Sequence, residues 1–143
     1  DGHQLLNSDT NTTQASDVNK TGEQFIIDHN DWVSTDTDGS TRSTNWSKTD
    51  GSSICPTGYS VPTLAELTDE TTDATDGFLR LPFSGFRDIN GTVDHLYPNM
   101  GHLWSSDASL IPNLSKSLIY DDNTTFENVE LIRATGLPIR CIK

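Results

Sequence analysis

Apolar residues in this chain fall in short clusters between long polar stretches, and that spacing sets the elements the sequence predicts. Residues 1–24 are polar and aperiodic, the pattern of an edge-pairing segment, a mobile arm or a linker. Phe25-Ile26-Ile27 is the first apolar run and reads as a strand, which Asp31-Trp32-Val33 continues after a turn at His29-Asn30. Residues 34–53 read as a long loop with turn dipeptides at Asp38-Gly39 and Asp50-Gly51, pinned to the core by Trp46. Pro62 breaks what precedes it. Thr63 followed three residues later by Glu66 is a capping box, so a short helix is predicted over 64–70 with Leu64 and Leu67 facing inward.

The second half is strand-like throughout. Residues 78–86 form an apolar run kinked at Pro82 and Gly85, and the Asn90-Gly91 turn within 88–91 folds 93–97 back onto it. Further strands are predicted at 103–106, 118–120 (with a turn at 121–124), 126–132 and 137–142. A β-rich order with one helix near the middle is an α+β domain of short strands and long loops, a single unit over 1–143.

Composition sharpens this. Only 32% of the 143 residues are apolar, so the core is modest and one covalent staple would matter. The net charge is −12, carried by sixteen Asp against five Glu. Such a chain repels nucleic acid and anionic membranes and attracts divalent cations, for which aspartate is a short, hard oxygen ligand. The same acidity also serves plain solubility. No apolar run is long enough to cross a membrane. The chain opens without Met and reads as a piece of a larger secreted protein, where Cys55 and Cys141 suggest one disulfide. Inert thiols and a nucleophilic cysteine are the alternatives, the latter needing a base that no nearby histidine supplies in sequence.

Four stretches in order carry a resemblance: Cys55-Pro-Thr-Gly-Tyr-Ser-Val-Pro-Thr-Leu-Ala-Glu66, Gly85-Phe-Arg-Asp-Ile-Asn-Gly91, Leu103-Trp-Ser-Ser-Asp107 and Ile139-Arg-Cys-Ile142. Together they resemble the Fibrobacter succinogenes major paralogous domain, a bacterial branch of the C-type-lectin-like fold, over roughly residues 54–143. Tyr59-Ser60 stands where that pattern has Trp-Arg, and the first fifty or so residues match nothing in it. The resemblance implies short twisted antiparallel strands, one short helix and long loops. It also implies an extracellular setting near the end of a large, RTX-type calcium-dependent repeat adhesin. The expected partner there is a peptide or protein terminus on another cell, with a surface glycan as the alternative and a structural spacer as a further one. Enzymes of this general fold that oxidise a cysteine need free reactive thiols, and a chain whose two cysteines are bridged has none, so no enzyme is expected.

Candidate chemistry lies in the loops between the helix and the last strand. Asp88, Asn90 and Asp94 fall in one turn, Asp107 follows the Trp104 strand, and Asp121, Asp122 and Asn123 form a third group. Oxygen ligands this close are expected to hold one or two Ca²⁺, against the plainer reading that Asp and Asn serve the turns themselves. Asp36, Asp38 and Gly39 make a second-choice site. Ca²⁺ on an acidic face would let the protein hold an anionic group, with Arg87 adding a fork-shaped carboxylate contact and His95, Tyr97 and Asn123 touching the ligand. His95 with His102 is a weak transition-metal pair, and Trp104 is expected in the core. The expected assembly is a monomeric module, without nucleic acid or membrane insertion.

Overall fold

The computed structural model describes residues 9–19, 24–71, 83–94, 99–121 and 126–143. The fold is α+β, with two helices and three small sheets among the described residues. Strands β5 (Met100–Ala108), β6 (Leu114–Asp121) and β7 (Phe126–Ile132) form an antiparallel meander in the order β5-β6-β7. Side-chain alternation splits this sheet into two apolar faces. Leu103, Leu118 and Tyr120 point to one face and pack on Leu67 and Leu64 of helix α2 (Leu64–Thr71). Trp104 points to the other and packs with Trp46, Val61, Leu131, Leu137, Ile139 and the two cysteines. No helix among the described residues is long and apolar enough to cross a membrane.

Helix α2 starts where the capping box predicts. The Thr63 N–H donates to Glu66 Oε2 at 2.8 Å, and the Glu66 N–H donates back to Thr63 Oγ1 at 3.3 Å. These bonds from the Thr63 N–H and hydroxyl hold the Glu66 carboxyl below its ordinary value of 4.5. A carboxyl whose folded value is depressed contributes stability above its unfolded value and loses it as the pH falls through the folded one. Thr63→Ala is therefore expected to cost about 1 kcal/mol in urea unfolding at neutral pH. Glu66→Ala should cost less, with a difference from the parent that shrinks as the pH is taken below 4.5.

The short elements agree with the sequence in part. Phe25–Ile26 is a strand (β2), and Thr10–Asn11 (β1) pairs parallel to it, so the described part of the first segment does pair at an edge. β3 (Phe86–Arg87) and β4 (Val93–Asp94) form the hairpin predicted at Asn90-Gly91, with Gly91 at φ 84°, where any residue with a Cβ is strained. The strands expected at 103–106 and 118–120 are longer than read, because Met100, Gly101 and His102 pair with Asp121, Tyr120 and Ile119, and Ser115 and Ser117 pair on across a bulge between Trp104 and Ala108.

Three expectations are corrected. Residues 31–33 do not extend β2; Val33 makes an isolated bridge to Ala15. The 137–142 segment is not a sheet strand, because Pro138 has no N–H to give. It is held instead by Trp104 N–H to Pro138 O at 3.1 Å and by Ser60 and Ile142 exchanging two bonds of 2.9 Å. The 34–53 loop contains a helix, α1 (Ser40–Trp46), built, Arg42 apart, from weak helix formers (STRSTNW). Tertiary contacts make it. Asp36 Oδ1 and Oδ2 accept the Thr41 and Arg42 N–H groups at 2.9 and 3.0 Å, Gly39 turns the chain at φ 77°, and Arg42, Asn45 and Trp46 are buried. Residues 78–82 and 95–97 of the predicted strands lie outside the described residues.

Candidate functional site

A cavity of about 420 Å³ opens between the first segment, α1 and the C-terminal segment. Phe25 lines it together with Trp32, Trp46 and Trp104, which are all three tryptophans of the chain. Ile54, Leu137 and Ile139 extend the apolar wall. Each residue arrives there by local structure. Phe25 comes from β2, Trp46 from the last turn of α1, and Trp104 from β5. Trp32 is placed by its carbonyl accepting the Ala15 N–H at 2.8 Å. The Cys55–Cys141 disulfide, with a Cα–Cα distance of 5.8 Å, joins the strips that carry Ile54 and Ile139. That pairing is the one the two cysteines suggested.

One side of the cavity is polar. Asn45 Nδ2 donates to Asn19 Oδ1 at 2.8 Å, and Ser53 Oγ donates to Asn45 Oδ1 at 2.9 Å. Arg133 also reaches the lining, but its guanidinium is already engaged. It donates Nε to Asp31 Oδ2 and Nη2 to the Thr37 carbonyl at 2.6 Å. Behind the wall lies a buried charge cluster: Asp31, Asp36, Arg42 and Arg133 are 5%, 1%, 3% and 1% exposed. Arg42 sits between Trp32 and Trp46, 5.7 and 5.5 Å from their ring centres, with Nη2 4.0 Å from Asp31 Oδ1. Burial pulls the Arg42 value down to about 10, partly offset by Asp31, so it stays charged at neutral pH. Two cations and two carboxylates balance, and the cavity presents apolar walls with a neutral polar rim. No histidine, cysteine, Asp or Glu occurs among the described residues lining it, so what it offers is contact and hydrogen bonding.

The aspartates expected to bind calcium are spread out. Asp88 Oδ1 accepts the Ile89 N–H at 2.7 Å and Asn90 Oδ1 accepts the Thr92 N–H at 2.8 Å, so both side chains serve the turn. Asp94 is the register partner of Phe86 in the same hairpin. Asp107 Oδ2 accepts the Leu64 N–H at 2.9 Å and so caps α2. Asp121 pairs with Met100 at the opposite end of β5 from Asp107, and about seven residues of strand put them roughly 20 Å apart. One ion cannot join them. In the second-choice site, Asp36 caps α1 and Asp38 Oδ1 accepts the Ser40 N–H at 3.0 Å. Among the described residues no group of three or more His, Cys, Asp or Glu is arranged to hold a metal ion.

Arg87 is buried, donates Nε to the Gly91 carbonyl at 3.1 Å and lies 4.8 Å over the Phe25 ring. It thereby braces one wall of the cavity from behind. Asp122, Asn123, His95 and Tyr97 lie outside the described residues. His102 is buried edge-on to Phe86, with ring centres 5.1 Å apart.

Sequence reasoning noticed Trp32, Trp46 and Trp104 one at a time. The signal that could have joined them is their number in a chain with so little apolar content; what it lacks is any hint that positions 14 and 58 residues apart share a cavity. No protein-family model, curated protein or solved structure matches the chain.

Proposed function

We propose that this chain is a ligand-binding adhesion domain of a larger secreted bacterial surface protein, not an enzyme, built on a C-type-lectin-like scaffold and taking a peptide or protein end. The observation that carries the reading is the 420 Å³ cavity walled by every tryptophan of the chain. Its volume falls within the range of about 300–1,000 Å³ usual for small ligand sites. An apolar side chain entering it leaves water at roughly 25 cal/mol per Å² of buried surface. A sugar ring fits these walls less well, since its hydroxyls would lose water over Ile54, Leu137 and Ile139 without new partners.

Calcium belongs to the proposal at the turn 88–94, where Asp88, Asn90 and Asp94 share one hairpin. The described side-chain oxygens there are turned toward backbone N–H groups and form no ready cage, so no ligand contact is routed through the ion. Two measurements test the reading. Filling the mouth with Ile54→Trp, at a half-exposed position, is expected to abolish peptide binding without lowering the melting temperature. Peptide binding by that variant equal to the parent's would sink the cavity reading, and glycan-array hits that the variant loses would replace peptide by sugar. Chelator is expected to lower the melting temperature by several degrees; an unchanged melting curve removes calcium and leaves the cavity standing.

A further inference from the structure

We infer that the tryptophan cavity selects an uncharged aromatic group and excludes cations, because arginines back its aromatic walls. This rests on the binding reading above. An aromatic hollow in a chain of net charge −12 would ordinarily suit a cation, since the face of an indole attracts one and the chain's field draws it in. Here those faces are already used. Arg42 lies 5.7 and 5.5 Å from the ring centres of Trp32 and Trp46, and Arg87 lies 4.8 Å over the Phe25 ring. Neither arginine lines the cavity, whereas all three rings do, so the guanidiniums stand behind the walls. A second cation on the cavity side would sit roughly 10 Å from the first, with a ring and little water between them, and the two would repel.

The lining adds to this. Arg133 is the one charged residue among the described lining residues, and Asp31 and Asp36, which balance the two buried arginines of the cluster, do not reach it. The cluster thus turns its positive side toward the cavity. A cation finds no carboxylate among the described lining residues and loses its water over Leu137 and Ile139. An anion loses water over the same walls. Arg133 is no ready partner for it, because each of its nitrogens is engaged: Nε on Asp31, Nη2 on the Thr37 carbonyl at 2.6 Å and Nη1 on the Leu114 carbonyl at 3.4 Å. An uncharged aromatic ring avoids both costs. Its electron-rich face suits the positive side of the cluster and the edges of the wall rings, and its apolar area leaves water. A phenol hydroxyl or indole N–H on it would meet Gln24 and Ser52, which are exposed at the rim. That chemistry is found in phenylalanine, tyrosine and tryptophan side chains and in small neutral arenes.

The test uses the whole chain and calorimetry. Toluene and N-methylpyridinium have nearly the same shape and differ by one charge. A peptide array carries each of the twenty residues, and trimethyl-lysine, in turn at the first, middle and last positions. Toluene is expected to bind about tenfold or more tightly than N-methylpyridinium, and peptides bearing an aromatic residue to bind where those bearing lysine, arginine or trimethyl-lysine do not. Ile54→Trp should abolish all of this binding. Arg42→Met and Arg87→Met should each narrow the preference for toluene by about threefold or more, because each removes the charge behind a ring. Lost packing would lower both affinities together and leave their ratio alone, so the ratio reads the charge. If Arg42→Met fails to fold, Arg87→Met and the parent's own ratio decide. Toluene binding with no peptide binding would support the selection and assign the cavity to small neutral arenes. If the cation binds the parent as tightly as toluene, if cationic peptides match aromatic ones, or if folded variants keep the parent's ratio, the inference is wrong and the cavity reading survives. If no arene and no peptide binds, both fall.

Discussion

Asp31→Ala is expected to destabilise the protein by about 3–5 kcal/mol, the usual cost of removing one partner from a buried charge pair. Asp31 is the shared anion of the network. Its Oδ2 accepts from Arg133 Nε, its Oδ1 accepts the Val33 N–H at 3.2 Å and faces Arg42 Nη2 at 4.0 Å. Without it, two guanidiniums only 3% and 1% exposed are left with Asp36, whose oxygens already serve the start of α1. The penalty comes from desolvated charge, not lost volume, so Asp31→Asn should recover little. The double variant Asp31→Leu/Arg133→Met, which removes the pair together, should be markedly more stable than Asp31→Ala. Urea unfolding at neutral pH reads all three. A cost below about 1 kcal/mol for Asp31→Ala would mean that the arginines reach water when their partner is gone. Because Arg42 lies between Trp32 and Trp46, the same variant should also change tryptophan emission and weaken ligand capture by the cavity.

Removing the disulfide is expected to cost nearly as much. Cys55 and Cys141 are 86 residues apart, and the loop-entropy relation puts the stabilisation at about 4–5 kcal/mol as an upper figure. Domains of this size are stable by only about 5–15 kcal/mol, so the Cys55→Ser/Cys141→Ser variant should melt well below the parent. The bridge also packs against Trp46, Val61 and Trp104 and ties the strip bearing Ile54 to the strip bearing Ile139. Ligand affinity should therefore fall along with stability. The bonds between Ser60 and Ile142, and from Trp104 to Pro138, hold the same strips without covalent help. A melting temperature unmoved by reduction would show that these bonds and the apolar contacts suffice.

What the sequence made legible was local. Thr63 and Glu66 reach each other over three residues, and Asn90 bonds the Thr92 N–H two residues on. In each case a side chain acts on its own nearby backbone, so neighbouring letters suffice. Helix α1 was missed for the same reason in reverse. Its residues favour loops, and it exists because Asp36 caps it and because Arg42 and Trp46 find burial against elements far along the chain. Of the candidate site, the sequence offered acidic turns, while the structure set the tryptophans around a cavity and spent Asp107 on capping α2.

By itself, then, the sequence determined the α+β class, the α2 start and the 88–91 hairpin, because these follow from short-range periodicity and hydrogen bonding; it suggested the cysteine pair, which the structure supplied. Only the tertiary structure decided which charges are buried and where the hollow lies. Asp31 and Arg133 meet across 102 residues and the disulfide closes across 86. Burial is a property of what the rest of the chain leaves uncovered, and no local pattern of letters encodes it.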